Sequence, residues 1–212
     1  MKIITEAKAA ADRQAAEEIA ALIREKPDAL LALAAGESPK GVYAELRAMC
    51  GRGELSFAGV RIFALTEYAD LPLEHPQNCR HMLEEGLISG IDIKPENCYF
   101  LTRDNYAEYD GEISACGGLD LAVLGIGENV HIGFNEPATP FYSFTHIQKL
   151  TDRTKRSKAE RFGGKYIYFC AMGLTCFVSP IIGHDEVVAK LTVGPFLMVD
   201  EQDYIAYELQ EL

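Results

Sequence analysis

Three short apolar segments, each running into a polar loop, constrain this chain more than anything else in it. They are Ala29–Ala35 (ALLALAA), Val60–Leu65 (VRIFAL) and Leu119–Gly127 (LDLAVLGIG). Runs this short and this continuously apolar read as strands of a sheet covered on both faces. The stretches between them carry helical spacing. Residues 5–26 set Ile19, Leu22 and Ile23 on one stripe and stop at Pro27, while residues 41–50, 76–90 and 105–118 read as further helices. CYFL, residues 98–101, is a short extra strand. Strands that alternate with helices pair in parallel through right-handed crossovers. The expected fold is α/β: an open, mostly parallel, Rossmann-like sheet with helices on both faces. No linker, repeat or low-complexity tract interrupts residues 1–212, which predicts one domain with a shortened C-terminal part. In that part FLMVD, Phe196–Asp200, reads as a final strand, and the acidic end EQDYIAYELQEL as exposed.

Composition narrows the function classes. The net charge of −12 argues against broad nucleic-acid binding, because phosphate backbones recruit basic surfaces. It does not exclude an anionic ligand held by a local cluster of amides and one arginine. No apolar run reaches the ~20 residues of a bilayer span, and the N-terminus shows no apolar signal-peptide core. Cysteines 50, 79, 98, 116, 170 and 176 form no CxxC pair, so reduced thiols in a cytoplasmic protein are expected, with no metal and no cofactor.

In an open α/β sheet, ligands bind beyond the carboxyl ends of the strands. Here those ends carry AGESPK, TEYADLP and GENVHIGFNEP. Parallel, adjacent strands bring the three loops to one edge. The residues in them resemble the glucosamine-6-phosphate and galactosamine-6-phosphate deaminase/isomerases, with 6-phosphogluconolactonases as more distant relatives. LGIGENVHIGFNEP follows the family's pattern after its third strand. GESP stands for its phosphate loop, EYADLPLEHPQNC for its DEYxxLPxxHP segment, and LTDRTKRSKAERF for the segment that brings in a phosphate-binding arginine. The resemblance spans residues 20 to 165 and is nearest the galactosamine-6-phosphate branch.

The resemblance implies ring opening of an aminohexose 6-phosphate, proton transfer between C2 and C1, and release of ammonia. His131 is then the proton carrier at the ring oxygen, because imidazole titrates near working pH, with Glu136 to orient and charge-pair it. Asn129 stands where the glucosamine branch has the histidine's Asp partner. Thr66 stands where the family has the carboxylate that removes the C2 proton, and Glu67 is its neighbour. A threonine hydroxyl is no base at neutral pH, so a catalytically impaired sugar-phosphate binder and a lactonase-type hydrolase are the alternative readings. The phosphate is expected against Ala35, Gly36, Ser38 and Lys40, with Arg161 as a bidentate clamp. Val130 replaces a glycine before the histidine, which predicts a displaced loop if the backbone there needs positive φ. SFTHIQKLT reads as a strand leaving the site, Arg161 as returning on a helix, and Gly183 and Glu186 as the places of a Gly-x-x-Lys phosphate loop, with Lys190 a conceivable substitute. The partner is a small sugar phosphate, with a homo-oligomer allowed.

Overall fold

The computed structural model describes residues 5–72, 75, 77–127, 129–151, 154–155, 166–169, 175–183 and 186–196. It divides into two compact units, Met1–Lys149 and Leu150–Leu212.

The first unit follows the strand–helix alternation. Helix α1 (Lys8–Glu25) buries Ala16, Ile19, Ala20 and Ile23, one face at helical spacing. Strand β1 (Leu30–Leu33) is buried throughout and leads to α2 (Lys40–Gly51). Strand β2 (Arg61–Ala64) leads to α3 (Cys79–Gly86), and β3 (Cys98–Tyr99) leads to α4 (Tyr109–Ala115) and then β4 (Leu121–Val123). All pairings are parallel, in the order β3-β2-β1-β4. Period-two alternation sorts the strand side chains. Leu31, Leu33, Ile62 and Ala64 join the core built with α1, α2 and α3. Leu30 and Phe63 face the other way, against Tyr109 of α4. There Phe63 stacks on Tyr99 at 4.2 Å and meets Tyr109 edge-on at 5.6 Å. Helices therefore cover both faces, as expected.

Two local signals end elements where the sequence places them. Pro27 follows the last turn of α1. The α4 helix closes on Gly117 (φ 106) and Gly118 (φ 87), whose amides return to the carbonyls of Ser114 and Ile113, both at 3.0 Å. That pair of bonds is the Schellman arrangement, which needs a left-handed residue and so selects glycine. The helix it closes is shorter than the 105–118 stretch read from sequence.

Three expectations need correction. Among the described residues the third apolar strand has a neighbour on one side only: Leu121 and Val123 are half-buried and Ala122 is exposed. Apolar sequence alone does not say whether a strand has a neighbour on each side. SFTHIQKLT forms no strand. The second unit is an antiparallel sheet, β5 (Tyr166–Phe169), β6 (Thr175–Gly183) and β7 (Glu186–Phe196), in the order β5-β6-β7. Gly183 and Glu186 pair across the β6–β7 hairpin, and Lys190 pairs with Pro180, so this is not a strand-to-helix phosphate loop. Of FLMVD only Phe196 is described, as the end of β7; the rest and the acidic tail lie outside the described residues.

Candidate active site

The chain runs outward through β1, β2 and β3, then returns to place β4 on the other side of β1. That reversal is a topological switch point, where an open sheet leaves a crevice at its carboxyl edge. The loop after β1 lies between the loops after β2 and β4. The outer two meet: Tyr68 packs on Phe134 with ring centroids 5.1 Å apart, and Phe134 lies 6.1 Å from the His131 ring. Burial, then the neighbouring Cys79 and Glu67, push the Tyr68 hydroxyl above its usual range.

The loop after β4 is two tight turns that bracket His131. Val130 N–H donates to the Gly127 carbonyl at 2.9 Å, and Gly127 N–H to the His131 carbonyl at 2.8 Å. Ile132 and Asn135 then exchange both backbone bonds, at 3.1 and 2.9 Å, around Gly133 (φ 54) and Phe134 (φ 63). Positive φ at both central positions is the type I′ hairpin geometry. Val130 adopts φ 68. The valine itself accepts the left-handed conformation, at a cost of roughly 1–2 kcal/mol. Gly127 is required for a different reason: a Cβ there would overlap the imidazole of His131.

His131 and Glu136 are 5% and 7% exposed, and Asn129 bridges them. Its Nδ2 donates to Glu136 Oε2 at 2.6 Å, and its Oδ1 lies 2.6 Å from His131 Nδ1. The Glu136 carbonyl is held in turn by the backbone N–H (3.1 Å) and hydroxyl (2.8 Å) of Thr139. Sequence reading pairs Glu136 with His131; the structure shows the amide side chain between them as a link.

At the end of β2, Thr66 Oγ1 lies 3.7 Å from the Cys79 thiol. The Glu67 carboxylate turns to the start of α3. Its Oε1 accepts from the N–H groups of Tyr68 (2.7 Å) and Cys79 (3.0 Å), and its Oε2 from that of Arg80 (2.9 Å). Asn78 adds a cap, its Oδ1 accepting from His81 N–H at 3.3 Å. Glu67 thus holds orphan donors of a helix terminus.

In the loop after β1, Gly36 takes φ 122, a conformation suited to glycine. Ala35 is half-buried and Ser38 exposed. Lys40 forms an ion pair with Glu37, and Lys8 bonds Asp12 at 2.7 Å and the Ser38 carbonyl at 3.4 Å. Asp12 also packs where a Cβ on Gly41 would stand, in the first turn of α2. Lys40, and Lys8 reaching the loop from α1, therefore already face carboxylates. Arg161 lies outside the described residues.

The arrangement gathers His131, Asn129 and Glu136 into one network, with Phe134 between the His131 ring and Tyr68. Sequence reading did not single out Tyr68, Phe134 or Gly127, although all three lie inside the quoted motifs. Among the described residues no group of three His, Cys, Asp or Glu could hold a metal ion, and no helix is long and apolar enough to cross a membrane.

Comparison with known proteins finds relatives for both parts of the chain. Residues 149–212 match the model of a sensory domain found in PocR. The glucosamine-6-phosphate deaminase of Beutenbergia cavernae is 42% identical over 157 residues, 70% of this chain and 59% of the relative. Glucosamine-6-phosphate deaminase 2 of Giardia intestinalis is 37% identical over 183 residues, 84% of this chain and 70% of the relative. A solved monomeric glucosamine-6-phosphate deaminase superposes with a TM-score of 0.73 at 33% identity, covering 77% of this chain and 71% of its own. The chain spans about three fifths of the length of the Beutenbergia relative. With residues 4–135 matching the model of the glucosamine-6-phosphate isomerases/6-phosphogluconolactonase, the chain belongs to that family.

Proposed function

We propose that the first unit binds an aminohexose 6-phosphate and opens its ring, as the entry to isomerisation and ammonia release. The His131–Asn129–Glu136 network beside the switch point carries this reading. A buried imidazole oriented by a hydrogen-bonded chain suits proton transfer at a ring oxygen. The phosphate then lies along Ala35–Lys40, where glycine allows close approach and α2 begins. The galactosamine type is the preferred substrate in this proposal, and the setting is cytoplasmic. Calorimetry with galactosamine 6-phosphate, glucosamine 6-phosphate and the two unphosphorylated sugars tests it. Binding should need the phosphate; equal affinity with and without it removes the phosphate site.

A second reading, a sugar-phosphate binder with little deaminase activity, is favoured by the end of β2. Thr66 offers no base, and the adjacent Glu67 carboxylate is committed to backbone amides. Coupled ammonia detection separates this reading from the first, and lactone hydrolysis tests the third, hydrolase-type, chemistry. We also propose that the chain is two modules rather than one domain. The separate compact units, their unlike sheets and the match of residues 149–212 to a sensory domain support it.

A further inference from the structure

The network around His131 carries information about protons as well as position. A carboxylate accepts hydrogen bonds and does not donate them. The Asn129 atom 2.6 Å from Glu136 Oε2 is therefore Nδ2 whenever Glu136 is ionised, which leaves Oδ1 toward His131. An amide oxygen also only accepts. The His131 nitrogen facing it, Nδ1, must then carry a proton. We infer that Asn129 is a positioning residue: under the orientation imposed by Glu136, it fixes neutral His131 as the Nδ1–H tautomer, with the basic lone pair on Nε2.

The consequence concerns direction of proton flow. His131 rests as a proton acceptor at Nε2. When Nε2 takes a proton from a reacting hydroxyl, the Nδ1–H···Oδ1 bond persists and the ring becomes an imidazolium. The proton returns from Nε2, the atom that received it, and does not pass on to Glu136, because the intervening amide has no basic site to relay it. Glu136 acts on the ring at one remove, through the amide dipole. This holds whatever substrate occupies the crevice, so it stands or falls separately from the deaminase reading.

Two-bond ¹H–¹⁵N correlation spectra of the full-length protein test it, with the His131 signals identified by their loss in His131→Gln. At neutral pH the wild type should show Nδ1 protonated and Nε2 unprotonated; the reverse pattern overturns the assignment. Glu136→Gln removes the group that orients the amide, and Asn129→Leu removes the acceptor. Either variant, if folded, should show a mixture of the two tautomers. A spectrum unchanged in both would mean that something other than this chain sets the tautomer, and the inference fails. Because the wild-type measurement decides by itself, misfolding of a variant does not protect the proposal.

Discussion

Thr66, Glu67 and Val130 are where single residues matter most. Loss of a general base costs ~10²–10⁴ in rate, or roughly 3–5 kcal/mol of barrier. Thr66→Asp should therefore raise ammonia release from an aminohexose 6-phosphate in a coupled assay, while Thr66→Ala changes little. An ordinary enzymatic rate in the native protein, with Thr66→Asp neutral or harmful, would show that another group is the base. Glu67→Gln separates structural from chemical duty. Its carboxylate caps α3, so the variant should lower stability by about 1–2 kcal/mol in urea unfolding. A large rate loss with unchanged stability would make Glu67 the base instead. At Val130, glycine relieves the φ 68 strain but adds backbone freedom to the unfolded chain, worth roughly 0.5–1 kcal/mol. Val130→Gly should still stabilise slightly, by up to about 1 kcal/mol, and a melting temperature below that of the native protein would contradict the strain argument.

Elements are registered by a few polar contacts. Asp120, at the entry to β4, accepts from the Leu30 backbone N–H at 2.8 Å and from Lys26 Nζ at 2.8 Å. It thereby ties β4 to β1 and to the end of α1. The Lys26 hydrogen bond, followed by that from Leu30, holds the carboxyl below its usual range. A depressed folded-state value gives a contribution that is complete above the unfolded value, about 4, and is lost as pH falls through the folded one. Asp120→Asn should melt lower than the native protein at pH 7, and the gap should narrow as pH falls below about 4. A gap that persists unchanged into acid would show that the ion pair is not its source. The start of α3 shows the same economy of contacts, with Glu67 and Asn78 dividing its amides between them.

The whole chain holds two sheets of opposite kind that share no strand among the described residues: one parallel, one antiparallel. Among the described residues each sheet's ladder lies within its own unit, so each unit should open cooperatively by itself. Hydrogen exchange should show two protection classes, one over β1–β3 and one over β6–β7, responding differently to denaturant. A single class with one denaturant dependence would argue for one domain. The C-terminal third also lacks the expected phosphate loop where it is described. Gly183 and Glu186 close a hairpin, and no helix separates β6 from β7.

What the sequence by itself determined was local. Continuous apolarity marked β1 and β2, Pro27 and Gly117–Gly118 marked helix ends, and the LGIGENVHIGFNEP motif marked the loop holding His131, Asn129 and Glu136. These signals are legible because they depend on near neighbours: side-chain spacing, a missing N–H, a permitted positive φ. The tertiary structure decided which polar groups remained for chemistry. Glu67 is held by the amides of Cys79 and Arg80, Lys40 faces Glu37, and β4 has one neighbouring strand among the described residues. It also put Asn129 between His131 and Glu136, and Tyr68 against Phe134. Carboxylates and amides bond to whichever donor the fold brings within about 3 Å, and for Glu67 and Tyr68 that partner belongs to another element or loop. Composition and spacing do not carry that choice.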